Sequence, residues 1–406
     1  MPRCIKSKMD IHNYKRRLER TLQHIKESNI SNENKKLIMQ FHNNCFSEGL
    51  SVCKIERYMF DLHKYALMLN KELLEASKDD IKGIVTEIEK KEWSPHTKHT
   101  FKIMIRKFYK SIEGPEEKGV YPERIRWLHS NVKACQNKLP EELLTEEEVM
   151  KMINCSDSQR DRALISMLYE SGSRISEIGL MKIKEVVFDE YGIKITISGK
   201  TGARRIRLVN SAPYLQAWLN IHPENQNPES YVWIGRDRKT LLSYARLSHI
   251  PKRLAKLAGI KKRIHPHLFR HSRATNLAKH LTESQMKSYL GWTASSKMAA
   301  IYVHLSGRDM DSAILKMNGI KIDEEKKADE RLRALACARC KTINEATNKF
   351  CKLCGLVLNK EEADKILEED FKRKNMDNVM EDLVKDKDVL KFLIQKIKER
   401  GLDKAL

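Results

Sequence analysis

Strand-like alternation in this chain is confined to one stretch, YGIKITISGKTGARRIRLV, residues 191–209. Ile193, Ile195 and Ile197 alternate with polar residues, the chain turns through GKTGA, and Ile206 and Leu208 carry the return. That is the pattern of a β-hairpin with one buried face, and a glycine-rich turn suits its tight connection. Almost everything else reads as helix. KIERYMFDLHKYALML sets Ile55, Tyr58, Met59, Leu62, Tyr65, Ala66 and Leu69 at steps of three and four, and TFKIMIRKFYK repeats the pattern with Phe101, Met104, Ile105 and Phe108. Such a stripe faces a core while the lysines face water. The chain is therefore expected to be mainly α with a small antiparallel sheet, an α+β fold.

At 406 residues the chain is long enough for two or three domains. The polar segment SNVKACQNKLPEE, with Pro140, predicts a linker after a first helical domain. Beyond it Thr145 and Glu148 have capping-box spacing, RDRALISMLYESG predicts a helix ending at Gly172, and SRISEIGLM begins another. Helical spacing resumes from about 240 to 318. A formal charge of +22 makes polyanions the natural partners. No run of about 18 apolar residues predicts a membrane span, and MPRCIKSKMD lacks the apolar core of a secretion signal, so a cytoplasmic location is expected.

The stretch HPHLFRHSRATNLAKH, His265–His280, concentrates three histidines and two arginines in its first nine residues. Pro266 suits a helix entry, and His267 and Arg270 then share a face within one turn. Alone, HxxR is a weak motif and reads first as a basic helix lying on a nucleic-acid backbone. The wider order is more specific. Arg174 follows a glycine turn, Lys200 sits in the hairpin turn, Trp292 lies in LGWTAS, and Tyr302 is followed by His304 in AAIYVHLSG. Over about residues 30–310 this set resembles the tyrosine recombinase, or phage-type integrase, family, and in particular its Xer-like site-specific recombinases. That family's order is arginine, hairpin lysine, HxxR, a histidine or tryptophan after LG, and a tyrosine in a Y-x-H context.

The resemblance implies a DNA-cutting and rejoining enzyme that works through a 3′-phosphotyrosyl link, with neither ATP nor a catalytic metal. Arg174 and Arg270 would hold the nonbridging phosphate oxygens as charge grows. Tyr302 would attack; a free phenol has a pKa of about 10, so His267 is the implied proton acceptor. Lys200 would protonate the departing 5′ oxygen. Glu177, one turn after Arg174, would be the supporting acid, although it also reads as a surface carboxylate near a helix start. Trp292 stands where most members carry histidine; an indole donates one hydrogen bond but shuttles no proton, and it reads also as a core residue. Phe269 stands where leucine is usual. Tyr289 is a weaker nucleophile candidate because it precedes LGW, while Lys194 and Arg204 are alternatives to Lys200. The implied substrate is double-stranded DNA, bound by a homo-tetramer on two sites, with no small-molecule substrate. A topoisomerase of type IB character and a non-catalytic DNA-binding regulator are the competing readings.

Cys337, Cys340, Cys351 and Cys354 form CxxC, ten residues, CxxC. Two such knuckles supply four thiolates, the donor set of a structural zinc site with no open position for a catalytic water. The ribbon would grip DNA, which Arg333, Arg339, Lys341 and Lys352 favour, or dock onto a neighbouring subunit. The tail is charged, with Val379, Leu383, Leu390, Leu393 and Ile397 at helical intervals. The expected domains are thus residues 1–135, a helical core-binding (SAM-like) DNA-binding domain; 136–318, the catalytic domain; 319–358, linker and zinc ribbon; and 359–406, an amphipathic helical tail.

Overall fold

The computed structural model describes residues 10–115, 117, 119–129, 142–199, 201–235, 240–305, 317–318, 332–385 and 387–399. Side chains at 304–305, 360–361, 382, 384, 387, 393 and 397–399 also lie outside the description, Leu393 and Ile397 among them. The chain forms two units that divide after residue 138. Among the described residues no helix is long and apolar enough to cross a membrane.

The first unit consists of helices α1 (Tyr14–Glu27), α2 (Asn32–Ser47), α3 (Val52–Leu69), α4 (Lys78–Lys90), α5 (Pro95–Glu113) and the short α6 (Glu123–Arg126). Its helix starts are set locally. Ser31, Ser77 and Ser94 each accept a hydrogen bond from a first-turn backbone N–H, and Ser77 forms a capping box with Asp80. The apolar stripe of α3 is buried along its length and meets Phe41, Phe101 and Phe108 in one core. Tyr65 and Tyr109 bury their hydroxyls there without leaving them unpaired: they bond each other at 2.9 Å, and Tyr109 donates to the Leu73 carbonyl at 2.8 Å.

The second unit begins with α7 (Glu146–Asn154), where the Thr145–Glu148 capping box is formed. Next comes α8 (Gln159–Ser171), buried on nearly all sides with Leu164, Ile165, Met167 and Leu168 fully enclosed. A helix buried on nearly every face sits at the centre of its domain, and α7, α10 (Ala212–Asn220) and α12 (Pro266–Ala278) pack around it. Between α8 and α10 run the five-residue α9 (Ile175–Gly179) and an antiparallel sheet ordered β1 (Val186–Asp189), β2 (Gly192–Gly199), β3 (Gly202–Leu208). The register sets Ile193 opposite Leu208 and Ile195 opposite Ile206, and Ile193, Ile195, Ile197 and Leu208 are completely buried. The hairpin is as the sequence predicts; β1 is an addition, because Val186–Asp189 is too short and too mixed to signal a strand alone. Glu170, at the end of α8, accepts from the backbone N–H groups of Val209, Asn210 and Ser211 and pins the end of the hairpin. Helices α11 (Tyr244–Leu257), α12, α13 (Glu283–Leu290) and α14 (Met298–Leu305) follow.

In the same unit β4 (Leu335–Ala336) and β5 (Ile343–Asn344) form a two-stranded ribbon that packs on α10. The Asn210 side chain accepts from the Ala334 N–H at 3.1 Å, and Lys352 Nζ donates to Gln216 Oε1 at 3.3 Å. Lys352, counted in the sequence among the ribbon's DNA-facing cations, is thus turned toward α10. Helices α15 (Lys360–Lys385) and α16 (Lys387–Glu399) follow, with Leu367, Phe371, Met376 and Val379 exposed.

Candidate active site

The site starts at the C-terminal end of α8. Gly172 ends the helix at φ +56°, and a Cβ there would lie 3.1 Å from both Arg273 Cβ and Leu290 Cδ2, so both the conformation and the space call for glycine. The reversal sets Arg174 at the start of α9. Glu177 reaches back to the Arg174 backbone N–H at 3.1 Å and to its Nη1 at 2.7 Å. The same carboxylate receives Arg204 Nη2 at 2.8 Å from β3. Burial pushes the Glu177 carboxyl up, but the Arg204 and Arg174 guanidiniums outweigh it and hold the acid below its ordinary range. Only 2% of the Glu177 side chain is exposed, so its reading as a surface carboxylate is overturned.

Arg204 is the residue that sequence reasoning undervalued, treating it only as an alternative to Lys200. Its side chain is 11% exposed, its Nε donates to the Tyr289 carbonyl at 2.8 Å, and it ties hairpin, α9 and α13 together. A Cβ on Gly291 would lie 2.5 Å from Arg204 Nη1. Lys200 lies outside the described residues. Gly199 beside it is described, and any side chain there would collide with Glu177.

Helix α12 brings the second arginine. Arg270 is buried, with Nη1 on the Gly172 carbonyl at 3.0 Å and Nη2 on the Leu290 carbonyl at 2.7 Å. Burial and the nearby charge of Arg174 lower its pKa to about 10, which keeps the guanidinium charged at neutral pH. The anchoring carbonyls fix the fork's orientation before any ligand arrives. One turn earlier, His267 is exposed.

Trp292 follows Gly291, and its ring stacks on Tyr302 from α14 with centroids 5.6 Å apart and planes 7° from parallel. The Arg270 guanidinium lies 5.3 Å from the Trp292 ring centre. Tyr302 is 4% exposed in a cluster with Ala274, Leu277, Met286 and Leu290. Burial raises its phenol pKa, and Arg270 partly offsets the rise. Its hydroxyl is 2.5 Å from Nδ1 of His271. The structure thus gathers Arg174, Glu177, Arg204, Arg270, Trp292 and Tyr302, and adds His271. Tyr289 is committed elsewhere: its hydroxyl donates to the Glu170 carbonyl at 3.1 Å. Beside the entry to α12 a cleft of about 700 Å³ is lined by Lys252, Lys256, Lys261, Lys262, Arg263 and His265.

The four ribbon cysteines also converge. Their sulfurs all lie within 4.8 Å of one another, with Cys337–Cys354 and Cys340–Cys351 each at 3.5 Å. Four thiolates at tetrahedral Zn–S distances would stand roughly 3.8 Å apart, so the donor set and spacing fit zinc.

Residues 142–308 match the phage integrase family. Over 199 residues the chain is 29% identical to tyrosine recombinase XerA of Pyrococcus horikoshii, covering 48% of this chain and 68% of that one. Over 289 residues it is 25% identical to tyrosine recombinase XerD of Yersinia pestis, covering 66% and 93%. Among solved structures, the XerH site-specific recombinase in a post-cleavage complex with its palindromic difH substrate aligns over 77% of this chain and 98% of that one, with a TM-score of 0.53 and 21% identity. A lambda integrase tetramer bound to a Holliday junction aligns over 70% and 81%, with a TM-score of 0.53 and 16% identity.

Proposed function

From a chain that belongs with the tyrosine recombinases, DNA strand-transferring enzymes, through its phage integrase family domain at residues 142–308, we propose a site-specific recombinase or integrase that cuts and rejoins duplex DNA through a 3′-phosphotyrosyl intermediate. The observation that carries this reading is the Tyr302 ring held face to face with Trp292, beside an Arg270 fork already aimed by two backbone carbonyls.

Arg270 and Arg174 bind the nonbridging oxygens of the scissile phosphate and neutralise the charge that grows there. Tyr302 Oη forms the bond to phosphorus as the bond to the 5′ oxygen breaks, and Lys200 protonates that oxygen. His267, exposed one turn before Arg270, donates to the same phosphate. Religation runs the steps backward, the 5′ hydroxyl displacing the phenol, so no ATP or catalytic metal is needed. The basic cleft beside α12 supplies sequence-independent attraction for the DNA backbone. The working unit is a tetramer on two sites, a reading supported by the lambda integrase tetramer bound to a Holliday junction.

The test uses duplexes selected from a random-sequence pool by their binding to the full chain. A nicked version of the selected duplex should leave an SDS-resistant protein–DNA adduct, and two intact sites on one plasmid should exchange strands. Relaxation of any supercoiled plasmid without exchange would replace the recombinase with a topoisomerase; binding with no adduct would leave only a DNA-binding protein.

We also assign structural zinc to Cys337, Cys340, Cys351 and Cys354. All four thiolates would hold the ion, whose contribution is to fold the knuckles. Metal analysis of the purified chain should give one zinc per chain, lost in Cys351→Ser. Chelation should abolish hydrogen-exchange protection across residues 332–358 and leave α8 protected; protection that survives the chelator would refute the assignment.

A further inference from the structure

The strand-transfer chemistry needs a group to take the phenol's proton, and two histidines of α12 compete for that task. We propose that His271, rather than His267, is the general base for Tyr302. This inference rests on the strand-transferase reading above.

Three observations carry it. His271 Nδ1 is 2.5 Å from Tyr302 Oη, within reach of direct transfer. The phenol is enclosed, with 4% of Tyr302 exposed, so bulk water is poorly placed to take the proton. His267 lies on the exposed first turn of α12, whereas His271 lies one turn further along, where the helix meets α14. A phenol that donates its only proton to His271 keeps its oxygen lone pairs for phosphorus, so the hydrogen bond does not block attack. The stack on Trp292 and the contact with His271 fix the ring on two sides.

The step balances. His271, neutral with its hydrogen on Nε2, takes the phenol proton on Nδ1 as the Oη–P bond forms. The P–O5′ bond breaks, and the pair goes to the 5′ oxygen, which Lys200 protonates. On religation the imidazolium returns its proton to the departing phenolate. His267 is left to bind the phosphate.

The test is single-turnover cleavage by the full chain of the selected nicked duplex, made with either ordinary phosphate or a 5′-bridging phosphorothiolate at the cleavage position mapped from the wild-type adduct. A thiolate leaves without a proton, so the sulfur substrate relieves loss of the acid but not loss of the base. His271→Ala should cleave the ordinary substrate about 10²–10⁴-fold more slowly and stay comparably slow on the sulfur substrate, whereas Lys200→Ala should recover. His271→Gln keeps an acceptor near the phenol but takes no proton, and it should be as slow as His271→Ala. Unchanged binding of the selected duplex and an unchanged circular dichroism spectrum certify the fold. Cleavage at the wild-type rate in either His271 variant, or rescue of His271→Ala by sulfur, would overturn the proposal. A wild-type chain that forms no adduct would instead sink the strand-transferase reading itself.

Discussion

Tyr302→Phe is expected to bind the selected DNA with wild-type affinity and to leave no SDS-resistant adduct. Deleting a nucleophile removes the covalent path altogether, and comparable deletions in hydrolases cost on the order of 10⁶ in rate. Here the loss should reach the detection limit, because water cannot form the protein–DNA bond. The fold should survive. Phenylalanine keeps the stack on Trp292 and the packing against Ala274, Leu277 and Leu290. What disappears is the hydrogen bond to the half-buried His271, and a typical net hydrogen bond is worth about 0.5–1.5 kcal/mol. Tyr289→Phe is the matched control. Burial pushes that phenol's pKa up to about 12, and its hydroxyl serves the Glu170 carbonyl and the neighbouring Arg273, so its removal should destabilise α13 against α8 and leave the adduct intact. Gel analysis of both variants on the nicked duplex reads the outcome. An adduct persisting in Tyr302→Phe, or vanishing in Tyr289→Phe, would move the nucleophile elsewhere.

The contrast between these tyrosines shows what the sequence carries and what it does not. Local rules were enough for elements whose cause is local. The Thr145–Glu148 box, the end of α8 at Gly172 and the hairpin's inward isoleucines depend on neighbours at most a few residues away, and each is formed. The order of Arg174, Arg270, Trp292 and Tyr302 was also legible, and the fold collects them. The supporting contacts were not. Arg204 meets Glu177 across 27 residues and the Tyr289 carbonyl across 85, and His271 meets Tyr302 across 31. No periodicity encodes such pairings. The resemblance implies His267 as the proton acceptor through the visible HxxR motif, whereas the contact of the residue after that motif, His271, with Tyr302 on α14 has no mark in the sequence. The ribbon's seat on α10 was hidden for the same reason, since Asn210 and Gln216 carry no mark of their partners.

The Glu177 network should give the largest loss of stability. One carboxylate there receives Arg174 Nη1, the Arg174 backbone N–H and Arg204 Nη2. Glu177→Ala leaves Arg204 buried beside Arg174 and Arg270 with that charge uncompensated, and breaking a buried pair from one side costs about 3–5 kcal/mol. A typical domain has only about 5–15 kcal/mol to lose. Glu177→Gln keeps the shape and one acceptor, so its cost should be smaller, while Arg174 drifts; misplacement by about 1 Å is enough to slow cleavage on the order of 10²-fold. The sign of the pH dependence follows from the direction of the shift. The folded carboxyl titrates below the ordinary value of about 4.3, so its contribution is fully present above that value and fades as pH falls through the lower, folded one. Urea midpoints for wild type and Glu177→Gln should therefore lie furthest apart at neutral pH and converge below about pH 4. Midpoints that stay equally separated in acid would mean that shape, rather than charge, makes Glu177 necessary. The two guanidiniums on the carboxylate favour charge, while the hairpin backbone at Gly199 passes so near Glu177 Oε1 that a Cβ would stand 2.2 Å away. The acid thereby couples the hairpin, through Arg204, to the helix that starts at Arg174, and a neutral replacement should loosen both at once.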